Sequence, residues 1–260
     1  MDTSDCKGHV LMLGCCSQVN QGNHDGKGEC MKDIKFKAGD LVAVPLSDTE
    51  FVTARVMMYP KEQIQEAEVK KVEAEFEQAP SEKLRPGTRF VRDLIGVLLE
   101  VYSKVFAEPT PERSEILFPG INVSSYNIIN GNYPIIGHVP VNPAEVEFPE
   151  NLFQIWSGGA RWYFCRGEVC LRLPDDDLKN IDAWRGIPKI NRMLGGIAQE
   201  YVRYYQGDHQ NGWSLEKCDL RFHERRREVY ETLGLKENEP YYEFAQRYGF
   251  DLARFYPKKP

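Results

Sequence analysis

From Ile34 onward the apolar residues fall in short runs rich in Val, Ile and Phe, each bounded by turn residues, a pattern that suits a sheet. Residues 41–46 follow Ala-Gly-Asp (38–40), and residues 51–58 follow Ser-Asp-Thr-Glu (47–50), which reads as strand, tight connection, strand. Residues 90–106 are dense in β-branched and aromatic side chains around Gly96 and read as one long or two short buried strands. Further strand signals lie at 116–119, 133–141 and 152–156, with Asn130-Gly131-Asn132 and Pro149-Glu150-Asn151 as turns. Residues 161–173 read as a hairpin turning at Gly167-Glu168, which pairs Arg166 with Val169 and sets Cys165 opposite Cys170 at the next, non-hydrogen-bonded position.

The remaining segments differ in kind. Residues 61–83 are dominated by Lys, Glu, Gln and Ala, and the weak spacing of Ile64, Val69, Val72 and Phe76 leaves exposed helix and solvated loop both open. In 187–206, Ile190, Leu194, Ile197, Ala198, Tyr201, Val202 and Tyr205 mark one face of an amphipathic helix. Ser214-Leu215-Glu216-Lys217 suits the start of a second helix running to Leu233 with Gly234 as its stop, and 240–256 suits a third. With 260 residues, 42% of them hydrophobic, the chain has material for a sizeable core. The expected class is α+β: a twisted, mostly antiparallel sheet, with partial closure into a barrel left open, followed by a helical C-terminal region. The division expected is a flexible polar leader (1–30), a β-rich domain (31–178) and a helical region packed on the sheet (179–260).

Charge and cysteine usage narrow the partners. The 39 acidic against 33 basic residues give a formal charge of −6, which repels nucleic acid and anionic membrane, so neither is expected as a partner. The unbroken apolar runs, such as 10–13, reach only four residues, far below the roughly 18–20 that span a bilayer. Seven cysteines, an odd set in a chain long enough to fold without staples, point to reduced thiols in a cytoplasm; a Cys165–Cys170 bridge fits the hairpin but is expected open there. Cys15, Cys16, His24 and Cys30 lack the paired spacing of zinc knuckles, and residues 22–27 miss the phosphate-loop pattern, so no metal and no cofactor is assigned.

Catalytic signals are sparse. There is no Gly-x-Ser-x-Gly elbow; among five histidines, His138 lies in an apolar strand and reads as a satisfied core or edge residue, and His209 lies in a polar connecting loop. Arg221, Arg225, Arg226 and Arg227 have Asp219, Glu224, Glu228 and Glu231 within helical reach and read as an ion-paired solvent face. No catalytic residue is assigned.

Lys35-Phe36-Lys37-Ala38-Gly39-Asp40-Leu41-Val42-Ala43-Val44-Pro45-Leu46, followed by Phe51-Val52-Thr53-Ala54-Arg55-Val56, resembles the opening of the immunity protein 26 family of bacterial polymorphic toxin systems. Ile116-Leu117-Phe118, Ile135-Ile136-Gly137-His138-Val139-Pro140, the Trp162-Tyr163 to Val169 hairpin and Asp182-Ala183-Trp184 continue the likeness in order, over about residues 34–184. The leader, the acidic 61–83 stretch and the last 75 or so residues depart from it. The resemblance implies a non-enzymatic cytoplasmic antidote that binds and neutralises a cognate protein toxin, and it carries no catalytic residue across. An antidote holds its target through a few buried anchors in a polar rim of complementary charge. The expected contacts are therefore the acidic and aromatic features: Glu73, Glu75 and Glu77, Asp175, Asp176 and Asp177, and Trp184 and Trp213. The residues leave two other classes open: a small β-barrel-like module binding nucleic acid or peptide, and an enzyme with a site near His138 or His209.

Overall fold

A computed structural model describes residues 34–78, 87–156, 160–174, 194, 196–206 and 214–257. Strands β1 (Asp40–Ser47) and β2 (Glu50–Met58) form the expected first hairpin. On β2 the period of two separates the faces: Val52, Ala54 and Val56 enter one core, whereas Thr53, Arg55 and Met57 point the other way. A register shift between Val56 and Met58 then puts Met58 in the same core as Met57.

Short helix α1 (Pro60–Gln63) leads into α2 (Glu66–Glu77), so part of the ambiguous polar stretch is helix. Helix α3 (Gly87–Leu94) corrects the strand expectation for the first part of 90–106: Thr88, Val91 and Ile95 recur at three and four residues and are buried, while Arg89 and Asp93 are exposed. Gly96 marks the change to β3 (Val97–Phe106), which pairs with β2 and with β4 (Ile116–Val123). After α4 (Tyr126–Ile129), β5 (Ile135–His138) adds to β1, giving an antiparallel sheet of order β4-β3-β2-β1-β5. That sheet is open, with β4 and β5 as its edges, so closure into a barrel does not occur.

The second sheet consists of β6 (Glu150–Trp156), β7 (Ala160–Arg166) and β8 (Val169–Arg172) in sequential antiparallel order. The β7–β8 hairpin turns at Gly167-Glu168 as expected. The expected turn at 149–151 is instead the start of β6: Glu150 pairs with Arg166 and its carboxylate is held in the interior.

C-terminal helices are shorter than the periodicity suggests. Leu194 lies outside any helix, bridging Val123 in parallel, and α5 covers Ile197–Gln206. The single helix expected over 214–233 is broken into α6 (Leu215–Cys218), a 3-10 turn (Leu220–Phe222) and α7 (Arg226–Leu233). The break is at Asp219, whose carboxylate accepts from the amides of Arg221 (3.0 Å) and Glu150 (3.1 Å); Ser214 makes no side-chain cap. Gly234 does end α7, in the left-handed conformation. Helix α8 (Tyr241–Arg247) stops before Gly249, and a 3-10 turn (Leu252–Phe255) begins under an Asp251 cap.

Residues 32–260 form one compact unit. One core lies between α5 and α6 and the Val52 face of the large sheet; the other joins Met57, Met58 and Leu98 to Leu152, Phe164, Tyr230, Tyr241 and Phe244. Gly167 packs tightly against the second core. It has φ +53° in the turn, and a Cβ there would overlap the buried Tyr241 ring. Gly167→Ala is expected to cost about 2–3 kcal/mol, read as a shift in urea midpoint, because left-handed strain and overpacking add.

Candidate interaction face

Helix α2 is anchored by little and exposes much. Val69 and Val72, three residues apart, are buried with Ile64 and with Val91 of α3, and most of the remaining helix faces water. Glu66 and Glu68 sit in its first turn, where carboxylates suit the helix dipole. Three of its acids are tied down: Glu66 to Arg92, Glu73 Oε1 to Arg89 Nη1 at 2.9 Å, and Glu68 Oε1 to Arg254 Nε at 2.9 Å. The Arg92 hydrogen bond holds the Glu66 carboxyl below the usual carboxylate range. Glu75 and Glu77 are exposed and form no ion pair among the described residues.

Glu68, Lys71, Val72 and Glu75, spaced as one stripe of α2, form one wall of a groove of about 260 Å³; Tyr248, Gly249, Phe250, Asp251 and Arg254 form the other. The floor is apolar, since Val72 and Phe250 are buried, and the rim carries charge of both signs. Such a site suits a long side chain with an apolar stem and a charged tip.

The C-terminal wall is held in place by charge buried far from it in sequence. The Glu168 carboxylate, wholly buried in the β7–β8 turn, accepts from Thr88 Oγ1 at 2.6 Å and pairs with Arg254; the Glu168 amide donates to the Tyr241 hydroxyl at 2.9 Å. Burial pushes the Glu168 carboxyl above the usual range, with Arg254 and Thr88 acting against the rise. A second network centres on Glu150, also wholly buried. Its oxygens accept from Arg226 Nε and Nη2 at 2.7 and 2.9 Å and from the Tyr230 hydroxyl at 2.5 Å. Burial would lower the Arg226 pKa, but the Glu150 contacts outweigh it and raise it; the Tyr230 phenol is raised by burial and by Glu150. Nearby, Arg166 binds Glu147 (2.6 Å) and the Glu239 carbonyl (3.0 Å).

These contacts correct the reading of the arginine run as a solvent face. Arg225–Glu228 and Arg227–Glu231 are surface pairs as expected, but Arg226 turns inward to Glu150, and Arg221 binds Asp219 and the Gly120 carbonyl.

Among the expected contact residues, Glu73, Glu75 and Glu77 all fall on α2. Glu73 and Glu77, four apart, share one side, and Glu75 turns toward the groove. Asp175, Asp176, Asp177, Trp184 and Trp213 lie outside the described residues, as do His209 and the 1–30 leader. His138 is an edge residue of β5 whose Nδ1 lies 2.8 Å from Asp40 Oδ1. The sequence reading missed the groove residues of the far wall; Gly249 followed by Asp251 was their local signal, a helix stop and a cap. Among the described residues no group of three or more His, Cys, Asp or Glu side chains is placed to hold a metal ion, and no helix is long and apolar enough to cross a membrane. No family model matches the chain, nor does any curated protein or solved structure.

Proposed function

We propose that the chain is an immunity-type protein: it binds a cognate protein toxin in the cytoplasm, uses α2 and the adjoining groove as its contact face, and neutralises the toxin by occupying it. The observation that carries this reading is α2 itself, a helix fixed from below by Val69 and Val72 that exposes Glu75, beside an apolar-floored groove, and Glu77, neither with an ion pair among the described residues. The resemblance over about residues 34–184 to the immunity protein 26 family supports the immunity role, while the choice of α2, which lies in the 61–83 stretch that departs from the family, rests on its geometry. Physically, these exposed carboxylates and the net charge of −6 steer a basic partner, and the groove receives one of its Lys or Arg side chains as an anchor. Such a complex needs no reaction on the part of the antidote.

Co-expression is the test. The full chain is expected to restore growth to cells producing the toxin encoded beside it. Failure to protect against every adjacent toxin candidate, with the chain soluble and abundant, overturns the assignment.

A further inference from the structure

We propose that Cys165 and Cys170 form a reversible oxidation site, closing a disulfide across the β7–β8 hairpin when the protein meets hydrogen peroxide. The two residues are direct register partners, and both are thiols in this structure. The Leu173 amide donates to the Trp162 carbonyl at 2.9 Å, which makes 162–173 a hydrogen-bonded pair. Bonded and non-bonded pairs alternate along an antiparallel ladder, so 164–171 and 166–169 are bonded and 165–170 is not. Non-bonded partners have Cα atoms about 4.5 Å apart, inside the range of about 4.4–6.8 Å that a disulfide spans. The bridge therefore closes with the strands already in place. No such opposition places the third described cysteine, Cys218, which lies in α6.

Both thiols are buried on the face of the small sheet that carries Tyr163, with Phe90 of α3 and Phe153 packed against them. Oxidation thus proceeds through local opening of that cover. One thiol attacks the peroxide, giving a sulfenic acid and water; the second attacks the sulfenic sulfur and expels another water, so two thiols and one peroxide yield one disulfide and two waters. The ring encloses the turn bearing Glu168, which holds Arg254 and Tyr241. Oxidation consequently stiffens the support of the C-terminal wall.

Full-length protein treated natively with hydrogen peroxide, alkylated and digested with trypsin tests this directly. Cleavage after Arg166 separates the two cysteines, so the bridge appears as peptides 162–166 and 167–172 joined until dithiothreitol parts them. The joined pair is expected in the wild type and in Cys218→Ser, and absent from Cys165→Ser and Cys170→Ser. The proposal is overturned if peroxide that bridges the urea-unfolded chain leaves both thiols alkylatable in the folded one, or if Cys218 is captured instead. The wild-type map decides this even where a serine variant folds poorly.

Discussion

Glu150→Ala is expected to lower stability by about 3–5 kcal/mol, the largest loss from any single substitution considered for this fold. The Glu150 carboxylate is wholly buried and is the counter-charge for Arg226, whose side chain is only 19% exposed. It also accepts from Tyr230 and lies 3.7 Å from Arg166 Nε. Removing it strands Arg226 and leaves a buried phenol without its acceptor, and the cost of unpaired buried groups exceeds what the pair itself contributed. Against a typical total of about 5–15 kcal/mol, that is a fifth or more of the stability. Urea denaturation reads the effect. A loss below about 1 kcal/mol would mean that the network carries little weight. In Glu150→Leu combined with Arg226→Leu, much of the loss should return, because apolar groups of similar size replace the pair without stranding either charge.

The second large effect falls on binding and leaves folding alone. Glu75→Lys with Glu77→Lys alters two exposed side chains with no ion pair among the described residues, so stability should move by no more than about 0.5 kcal/mol. Association with the toxin should slow about ten- to a hundredfold at low salt, because long-range attraction becomes repulsion at the contact face. Stopped-flow rates over a salt series give the signature: wild type and variant converge as the Debye length shrinks. Equal rates at low salt would remove α2 from the interface.

How much of this was legible in the sequence depends on how local each cause is. The β1–β2 and β7–β8 hairpins were readable because alternation and turn residues lie within a dozen positions of one another. Helix α3 was not, since Phe90 and Val91 favour strands by type, and only the burial of Thr88, Val91 and Ile95 on one side shows the helical period. The break at Asp219 and the inward turn of Arg226 were hidden for another reason. Both answer to Glu150, some seventy residues earlier, and no window along the chain contains that partner. The acidic residues of α2 were visible as composition, but the groove needed Tyr248 to Arg254 brought against them, which Glu168 accomplishes from the hairpin turn.

Blocking by occupancy is the step on which the proposed function depends. Its most direct test is an inhibition titration in which purified chain is added to purified toxin and residual toxin activity is read at equilibrium. Occupancy predicts a straight decline that reaches zero at a fixed molar ratio and does not deepen with further incubation. Progressive silencing of many toxin molecules by one chain, or no inhibition at any ratio, contradicts it.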